Sequence, residues 1–219
     1  YNPSLVGHEA SGDDFSLSIP QEAFLSKKSM IRSRWLPDKE GVGFVSLLKT
    51  CAKEKDIQKG IKIHSSILER YGLLGINLYV ANSLISMYAN CGVLHKAQQV
   101  LEELPTRNVV SWSALISGYV QHLQGHMALS SFETMQSEGI SPDVVTFTSI
   151  LKACSCIGAI EKGEEMHAEI GRGGLSRDYL VANALVDFYM KFGMMEKCEE
   201  VFDSLSVRDV VAWGTLIAG

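Results

Sequence analysis

An all-α fold, a right-handed solenoid of stacked helix–turn–helix repeats, is what this sequence of 219 residues predicts. Two observations carry the prediction. The chain matches itself over a long span when shifted by 101 residues, and each repeated unit divides into two stretches with apolar residues at helical spacing. Under that shift Val80, Ala81, Asn82, Leu84, Tyr88, Gly92, Lys96, Val100, Leu104 and Arg107 fall on Val181, Ala182, Asn183, Leu185, Tyr189, Gly193, Lys197, Val201, Leu205 and Arg208. Val109, Val110, Trp112, Leu115, Ile116 and Gly118 fall on Val210, Val211, Trp213, Leu216, Ile217 and Gly219. Earlier in the chain the shift becomes 103, carrying Phe44, Leu48, Lys49, Cys51, Ile57, Lys59, Gly60 and His64 onto Phe147, Leu151, Lys152, Cys154, Ile160, Lys162, Gly163 and His167. The two extra residues therefore lie within Tyr71–Asn77, where Gly72 and Gly75 signal a loop and added length costs little.

One period divides into units of 31, 35 and 35 residues, namely 78–108, 109–143 and 144–178. The short type returns at 179–209, residues 41–77 form a first, longer unit, and 210–219 start another. In 109–143, Trp112, Leu115, Ile116 and Tyr119 mark one helix and Gly125 a break. Met127, Leu129, Phe132 and Met135 then mark a second helix, ended by Gly139 and Pro142. A helix pair of this size cannot bury its apolar face alone, so neighbours stack into one continuous core. Residues 1–40 read as a leader, disordered or partly helical. Within 21–36, Lys27, Lys28, Arg32 and Arg34 are opposed only by Glu22, which fits the remnant of an organelle-directed segment or an unstructured leader. Terminal repeats need a polar cap, whereas 210–219 carry Val210, Val211, Trp213, Leu216 and Ile217; the chain is expected to be a fragment with more repeats beyond it.

Apolar residues make up 46% of the chain, charged residues 21%, and prolines number only five, a composition that supports folded helices. No stretch makes a membrane span of about 20 predominantly apolar residues. The cysteines (Cys51, Cys91, Cys154, Cys156, Cys198) form no C-x-x-C pair, and no paired histidine spacing completes a zinc site. Buried thiols of a reducing compartment are expected instead. The net charge of -5 argues against a nucleic-acid partner, since Lys and Arg neutralise phosphates in such complexes, but it leaves room for a locally favourable groove. His64 and His167 share one repeat position and are expected to pack and hydrogen-bond rather than hold a metal. Glu161–Glu165 is expected on a solvated face, and Met194 with Met195 in a helix interface.

Several strings discriminate among helical-repeat families. Residues 109–119 (VVSWSALISGY) and 138–143 (EGISPD) define one repeat type. Residues 147–154 (FTSILKAC) and 163–168 (GEEMHA) define a second. Residues 80–92 (VANSLISMYANCG) and 181–189 (VANALVDFY) define a third. The W-x2-L-G-x2-Y anchors of tetratricopeptide repeats are missing. These strings resemble the plant organellar pentatricopeptide family, in its subclass that rotates standard, long and short repeats; the likeness covers residues 41–219. Cys91 becomes Phe192 in the second short repeat, a departure that touches no expected binding residue.

Such repeats read about one base each through two or three side chains. The resemblance implies that the fifth and last residues of a repeat do so: Asn82 with Asn108, Ser113 with Asp143, Asn183 with Asp209, and more weakly Thr148 with Asp178. Val45 with Asn77 would be a silent pair. Second residues would clamp base faces: Tyr79, Val110, Val145 and Leu180. Asn offers a donor and an acceptor, a Ser or Thr hydroxyl leaves room for a purine, and ionised Asp only accepts. By the family code Asn–Asp favours U, Asn–Asn favours C or U, and Ser–Asp or Thr–Asp favours G, giving a core 5′-Y-G-N-U-3′. Helix capping is the competing account, because Asn and Asp before a helix also accept its free N–H groups.

The resemblance further implies a partner, single-stranded organellar RNA, in a mitochondrion or chloroplast with the mitochondrion slightly favoured. It implies a role as specificity factor for C-to-U editing or other transcript processing, with editing-complex proteins as further partners. No H-x-E paired with P-C-x-x-C occurs, so this chain is not expected to catalyse the editing step and no catalytic residue is assigned. Separately, no metal or other cofactor, small-molecule substrate or membrane is expected. The alternative is an α-solenoid scaffold for proteins.

Overall fold

The computed structural model describes residues 38–72 and 75–204. Among them are ten helices and no strand: α1 Asp38–Glu54, α2 Ile57–Tyr71, α3 Leu78–Asn90, α4 Leu94–Glu103, α5 Val109–Gln121, α6 Gly125–Ser137, α7 Val144–Ile157, α8 Ile160–Arg172, α9 Tyr179–Lys191 and α10 Met195–Ser204. The leader of residues 1–37 and the segment 205–219 lie outside the described residues; α1 starts at Asp38, three residues before the expected array.

Helices pair into five antiparallel hairpins. Within each, a short turn passes through one residue at positive φ: Lys55, Gly92, Leu123, Gly158 and Gly193. Leu123 takes this left-handed conformation (φ 59°) where three of its counterparts are glycine. The expected break at Gly125 is therefore misplaced by two residues. Gly125 opens α6 instead, and a Cβ there would meet the Ile157 side chain at 2.5 Å. The buried face of α6 is correspondingly Gly125, Ala128, Phe132 and Met135, while Met127 faces outward.

The hairpins stack into an α-solenoid of two layers. Among the described residues, first helices α1, α3, α5 and α7 each pack along the first helix of the next hairpin, whereas consecutive second helices barely touch. The tightly apposed layer is thus the inner one. One apolar core runs through the stack, from Leu48 and Cys51 past Leu84, Ile116 and Leu151 to Leu185 and Phe188.

Polar ties fasten neighbouring hairpins at the rim. Arg107 donates to the Leu101 and Glu102 carbonyls, at 2.9 and 2.8 Å, so it closes the end of α4. The same guanidinium pairs with Glu138, which also accepts from the Trp112 indole N–H at 3.2 Å. Lys162 bridges Glu133 of the preceding hairpin and Glu165 of its own helix, and Lys197 pairs with Glu164; through Lys162 and Glu164 the run expected on a solvated face also joins hairpins. Met194 packs against the core but Met195 is exposed, so only one of that pair fills an interface.

Close approach between layers depends on residues without side chains. Gly163 of α8 lies under the ring of Phe188, which stacks edge-on against Tyr189 and Phe192 and is fully buried; Gly60 lies likewise under Met87. We predict that Gly163→Ala lowers unfolding stability by about 1–3 kcal/mol through overpacking, measured by urea denaturation. Gly43→Ala, where added atoms meet nothing within 4 Å, should leave stability unchanged or raise it.

Candidate nucleic-acid interface

Each first helix presents the second residue of its repeat to solvent. Tyr79 is 82% exposed, and Val110, Val145 and Leu180 are about half exposed, a regular apolar row on an otherwise well-buried layer. Val42 belongs to the same row at 70% exposure. Sequence reasoning passed over it, although it is the second residue of the 41–77 unit and the register alone would have found it.

The last residues sit at the N-termini of the following first helices, and each caps one. Asn77 Oδ1 accepts from Val80 N–H at 3.0 Å, and Asn108 Oδ1 from Ser111 N–H at 3.0 Å. Asp143 Oδ1 accepts from Thr146 N–H at 2.8 Å, and Asp178 Oδ1 from Leu180 and Val181 N–H at 2.9 and 3.3 Å. Each cap occupies one terminal oxygen. Among the described residues the second atom, Oδ2 of the two aspartates or Nδ2 of Asn108, takes no protein partner and is available to a ligand. Capping and base contact are therefore compatible chemistries of one side chain, and the cap fixes which atom is offered.

The fifth residues differ among themselves. Asn82 accepts the Ser111 hydroxyl at 2.7 Å and shares a cavity of about 530 Å³ with Asn108, Tyr79, Val110, Val45 and Lys49. That size falls within the range of about 300–1,000 Å³ for ligand pockets. Ser113 is almost fully buried, its hydroxyl 2.7 Å from the Val109 carbonyl, 2.8 Å from Thr146 Oγ1 and 3.3 Å from Asp143 Oδ1. What Ser113 contributes to the channel is consequently space, together with a hold on Asp143. Thr148 bonds back to the Val145 carbonyl and lines a second cavity with Val145, Leu180 and Lys152; Asp178 is not part of that lining. Asn183 is half-buried with its Oδ1 unpartnered. Its expected companion Asp209 lies outside the described residues.

Charge is spread unevenly over the helices. Helices α3 and α5 hold no charged side chain, and α7 holds only Lys152. The outer helices α8 and α10 together carry eight carboxylates against three cations. First helices α1 and α9 carry charges of both signs, and Asp187 of α9 lines the second cavity beside Lys152, so the acidic excess is concentrated on α8 and α10 without leaving the inner layer free of carboxylates. Lys49 and Lys152, equivalent residues of the two long units, line the two cavities. The sequence displayed them as a repeat match, without signalling that they face the inner surface.

The histidines serve the stack. His64 Nδ1 lies 2.8 Å from Tyr88 Oη and His167 Nδ1 2.8 Å from Tyr189 Oη, each across a hairpin boundary with the rings edge-on. Burial pushes both histidine pKa values down, assisted at His167 by the Lys197 charge. Burial, with Glu164 and Glu200 nearby, pushes the Tyr189 hydroxyl up to about 12. Among the cysteines Cys51, Cys154 and Cys198 are buried, Cys91 partly so and Cys156 exposed, so burial does not hold for all five. Among the described residues no cluster of His, Cys, Asp or Glu has the makings of a metal site, and no helix is long and apolar enough to cross a membrane.

Fold and channel together define a class: an α-solenoid of stacked helical hairpins whose inner face carries a row of exposed apolar residues beside a row of polar helix caps. A PPR repeat family model matches residues 107–156, and a PPR repeat model matches 79–109, 145–175 and 181–210, together more than half of the chain. The chain belongs to the pentatricopeptide repeat (PPR) family. It is 33% identical over 176 residues to a chloroplastic pentatricopeptide repeat-containing protein of Arabidopsis thaliana, covering 80% of this chain and 20% of that protein. It is 32% identical over 220 residues to a mitochondrial one of the same plant, covering 100% of this chain and 32% of that protein. The chain spans between a fifth and a third of the length of these relatives. In fold it is similar to the maize pentatricopeptide repeat protein PPR10 in complex with an 18-nt psaJ RNA element (24% identity, TM-score 0.62, 84% of this chain and 27% of that one). It is also similar to the PPR domain of Arabidopsis thaliana protein-only RNase P 1 in complex with tRNA (15% identity, TM-score 0.60, 78% and 93%).

Because the folded chain binds fewer protons on His64 and His167 than the unfolded chain does, stability should be full above about pH 6.5 and decline as pH falls from there towards the depressed folded values. Thermal unfolding between about pH 7.5 and 5.5 should show the midpoint dropping on acidification. A His64→Gln, His167→Gln double variant should show a shallower drop; an equal slope in both proteins would contradict this account.

Proposed function

We propose that this array binds single-stranded RNA and selects bases through successive repeats. One observation carries the proposal: a row of exposed apolar residues and a row of polar capping side chains run together along the inner layer, while outer helices α8 and α10 carry eight carboxylates. Tyr79, Val110, Val145 and Leu180 clamp base faces. Stacking on Tyr79 would contribute on the order of 1–3 kcal/mol and the aliphatic clamps less. Asn82 with Asn108 and Asn183 with Asp209 read base edges, Asp143 reads one in the space that Ser113 leaves, Thr148 with Asp178 reads more weakly, and Val45 with Asn77 is silent. Lys49 and Lys152 meet phosphates beside the cavities they line.

The repeats are those of the rotating standard, long and short subclass, bounded at 41–77, 78–108, 109–143, 144–178 and 179–209. The selected core is 5′-Y-G-N-U-3′. PPR10 and the RNase P domain, which share the fold, are in complex with RNA, and this supports the class of ligand. Relatives named as chloroplastic and mitochondrial support an organelle as the setting. Within it the chain serves as a specificity element for C-to-U editing or other transcript processing, alongside editing-complex proteins, without performing the chemistry itself.

Selection from a randomised single-stranded RNA pool tests the assignment. Asn183→Thr should move one position from U towards G and leave the others; an unchanged profile would show that Asn183 reads nothing. Separately, Lys49→Gln and Lys152→Gln should each reduce the slope of log affinity against log salt by about 0.7, the value for one phosphate on a single strand. Weak RNA binding with no salt dependence would instead favour a protein-binding scaffold.

A further inference from the structure

Ser111 performs a task that neither the second, the fifth nor the last residues of the repeats perform. It is fully buried in the first turn of α5, at the boundary between the α3–α4 and α5–α6 hairpins. Its hydroxyl lies 2.7 Å from Asn82 Oδ1 and 2.9 Å from Asn108 Oδ1, and it receives the Asn108 backbone N–H at 3.4 Å. The Asn108 amide is already oriented by the Ser111 backbone N–H. For Asn82 the Ser111 hydroxyl is the tie that orients the amide: Oδ1 turns inward to accept and Nδ2 is left for the cavity. Thr146 holds the equivalent place one hairpin on, with its hydroxyl 2.7 Å from Asp143 Oδ1 and 2.8 Å from Ser113. Elsewhere the third residue is Gly43, Val80, Val181 or Ala212, none of which has a hydroxyl. Ala212 matches Ser111 under the shift of 101 residues, and Asn183, the match of Asn82, is the asparagine whose Oδ1 lacks a partner.

We propose that Ser111 is a positioning residue that makes the Asn82–Asn108 pair select cytosine over uracil. This rests on the RNA-binding function proposed above and narrows one of its positions from either pyrimidine to one. With both amide oxygens committed to the protein, the cavity offers two N–H donor groups beside each other. Cytosine presents adjacent acceptors at O2 and N3, which two donors satisfy together. Uracil carries a proton on N3, so one of its donors would face a donor. If the Asn82 amide were free to turn over, Oδ1 would accept that proton and uracil would fit as well. Asn183, whose buried Oδ1 has no hydrogen-bond partner among the described residues, shows no such tie there.

Pool selection with the wild-type chain, Ser111→Ala and Ser111→Thr tests the proposal. The wild type should prefer C at the position read by residues 78–108. Ser111→Ala should lower the C-to-U ratio there by about fivefold, the equivalent of one net hydrogen bond, with neighbouring positions unchanged, and Ser111→Thr should restore it. An unchanged ratio in a variant that still binds would overturn the proposal while leaving RNA binding intact. Wild-type chain that selects no base at any position would overturn the RNA-binding function and this refinement with it. A second measurement needs no RNA: nitrogen-15 relaxation of side-chain amides should find Asn82 Nδ2 more rigid in the wild-type chain than in Ser111→Ala. Equal mobility in the two chains would also overturn the proposal.

Discussion

The apposition of one first helix against the next is the contact on which everything else in the molecule depends. No single hairpin has enough apolar surface to fold alone, so the array stands only as a chain of such contacts. Their closeness is set at a few places: Gly118 of α5 against Ala89 of α3, and fully buried Leu48, Leu84, Ile116, Leu151 and Leu185 along the inner layer. Because consecutive second helices barely meet, the stack is tight on one side and open on the other. That asymmetry produces an inner surface on which equivalent residues recur at short and regular intervals. Histidine–tyrosine pairs at two of the boundaries bind second helices to the following hairpin without widening the gap.

The same boundaries explain how polar residues come to occupy such a surface at modest cost. A helix N-terminus demands an acceptor, and Asn77, Asn108, Asp143 and Asp178 supply it with one atom. The remaining atom of each side chain then points its chemistry outward, a donor from asparagine and an acceptor from aspartate. Stability and selectivity are in this way requirements on different atoms of one residue. Ser111 and Thr146 extend the arrangement across the boundary by tying a fifth residue to a cap.

Much of this was legible in the sequence because periodicity reports on burial. Leu84, Tyr88, Leu115, Ile116, Leu185 and Tyr189, all recognised as repeated, are core residues, and the hairpin architecture followed from them. Features that depend on geometry between repeats were not legible. The burial of Ser113 and the hydroxyl bridge of Ser111 require a neighbouring helix to be placed before their partners are known. The break before α6 was misread because Gly125 was assigned the turn, whereas Leu123 bends the chain and Gly125 makes room for Ile157. Net charge misled for another reason. It sums acidic α8 and α10 with first helices α3 and α5, which hold no charge, and α7, which holds only Lys152.

The central claim is that successive repeats meet successive nucleotides along the inner layer. Placing a photo-crosslinking side chain at Tyr79, Val110, Val145 or Leu180, one at a time, and mapping the crosslinked nucleotide on a bound RNA tests it most directly. The four positions should mark four consecutive nucleotides in 5′ to 3′ order, while the same group at Glu133 on the outer layer should mark none. Crosslinks that coincide on one nucleotide, run out of order, or arise as readily from Glu133 would contradict it.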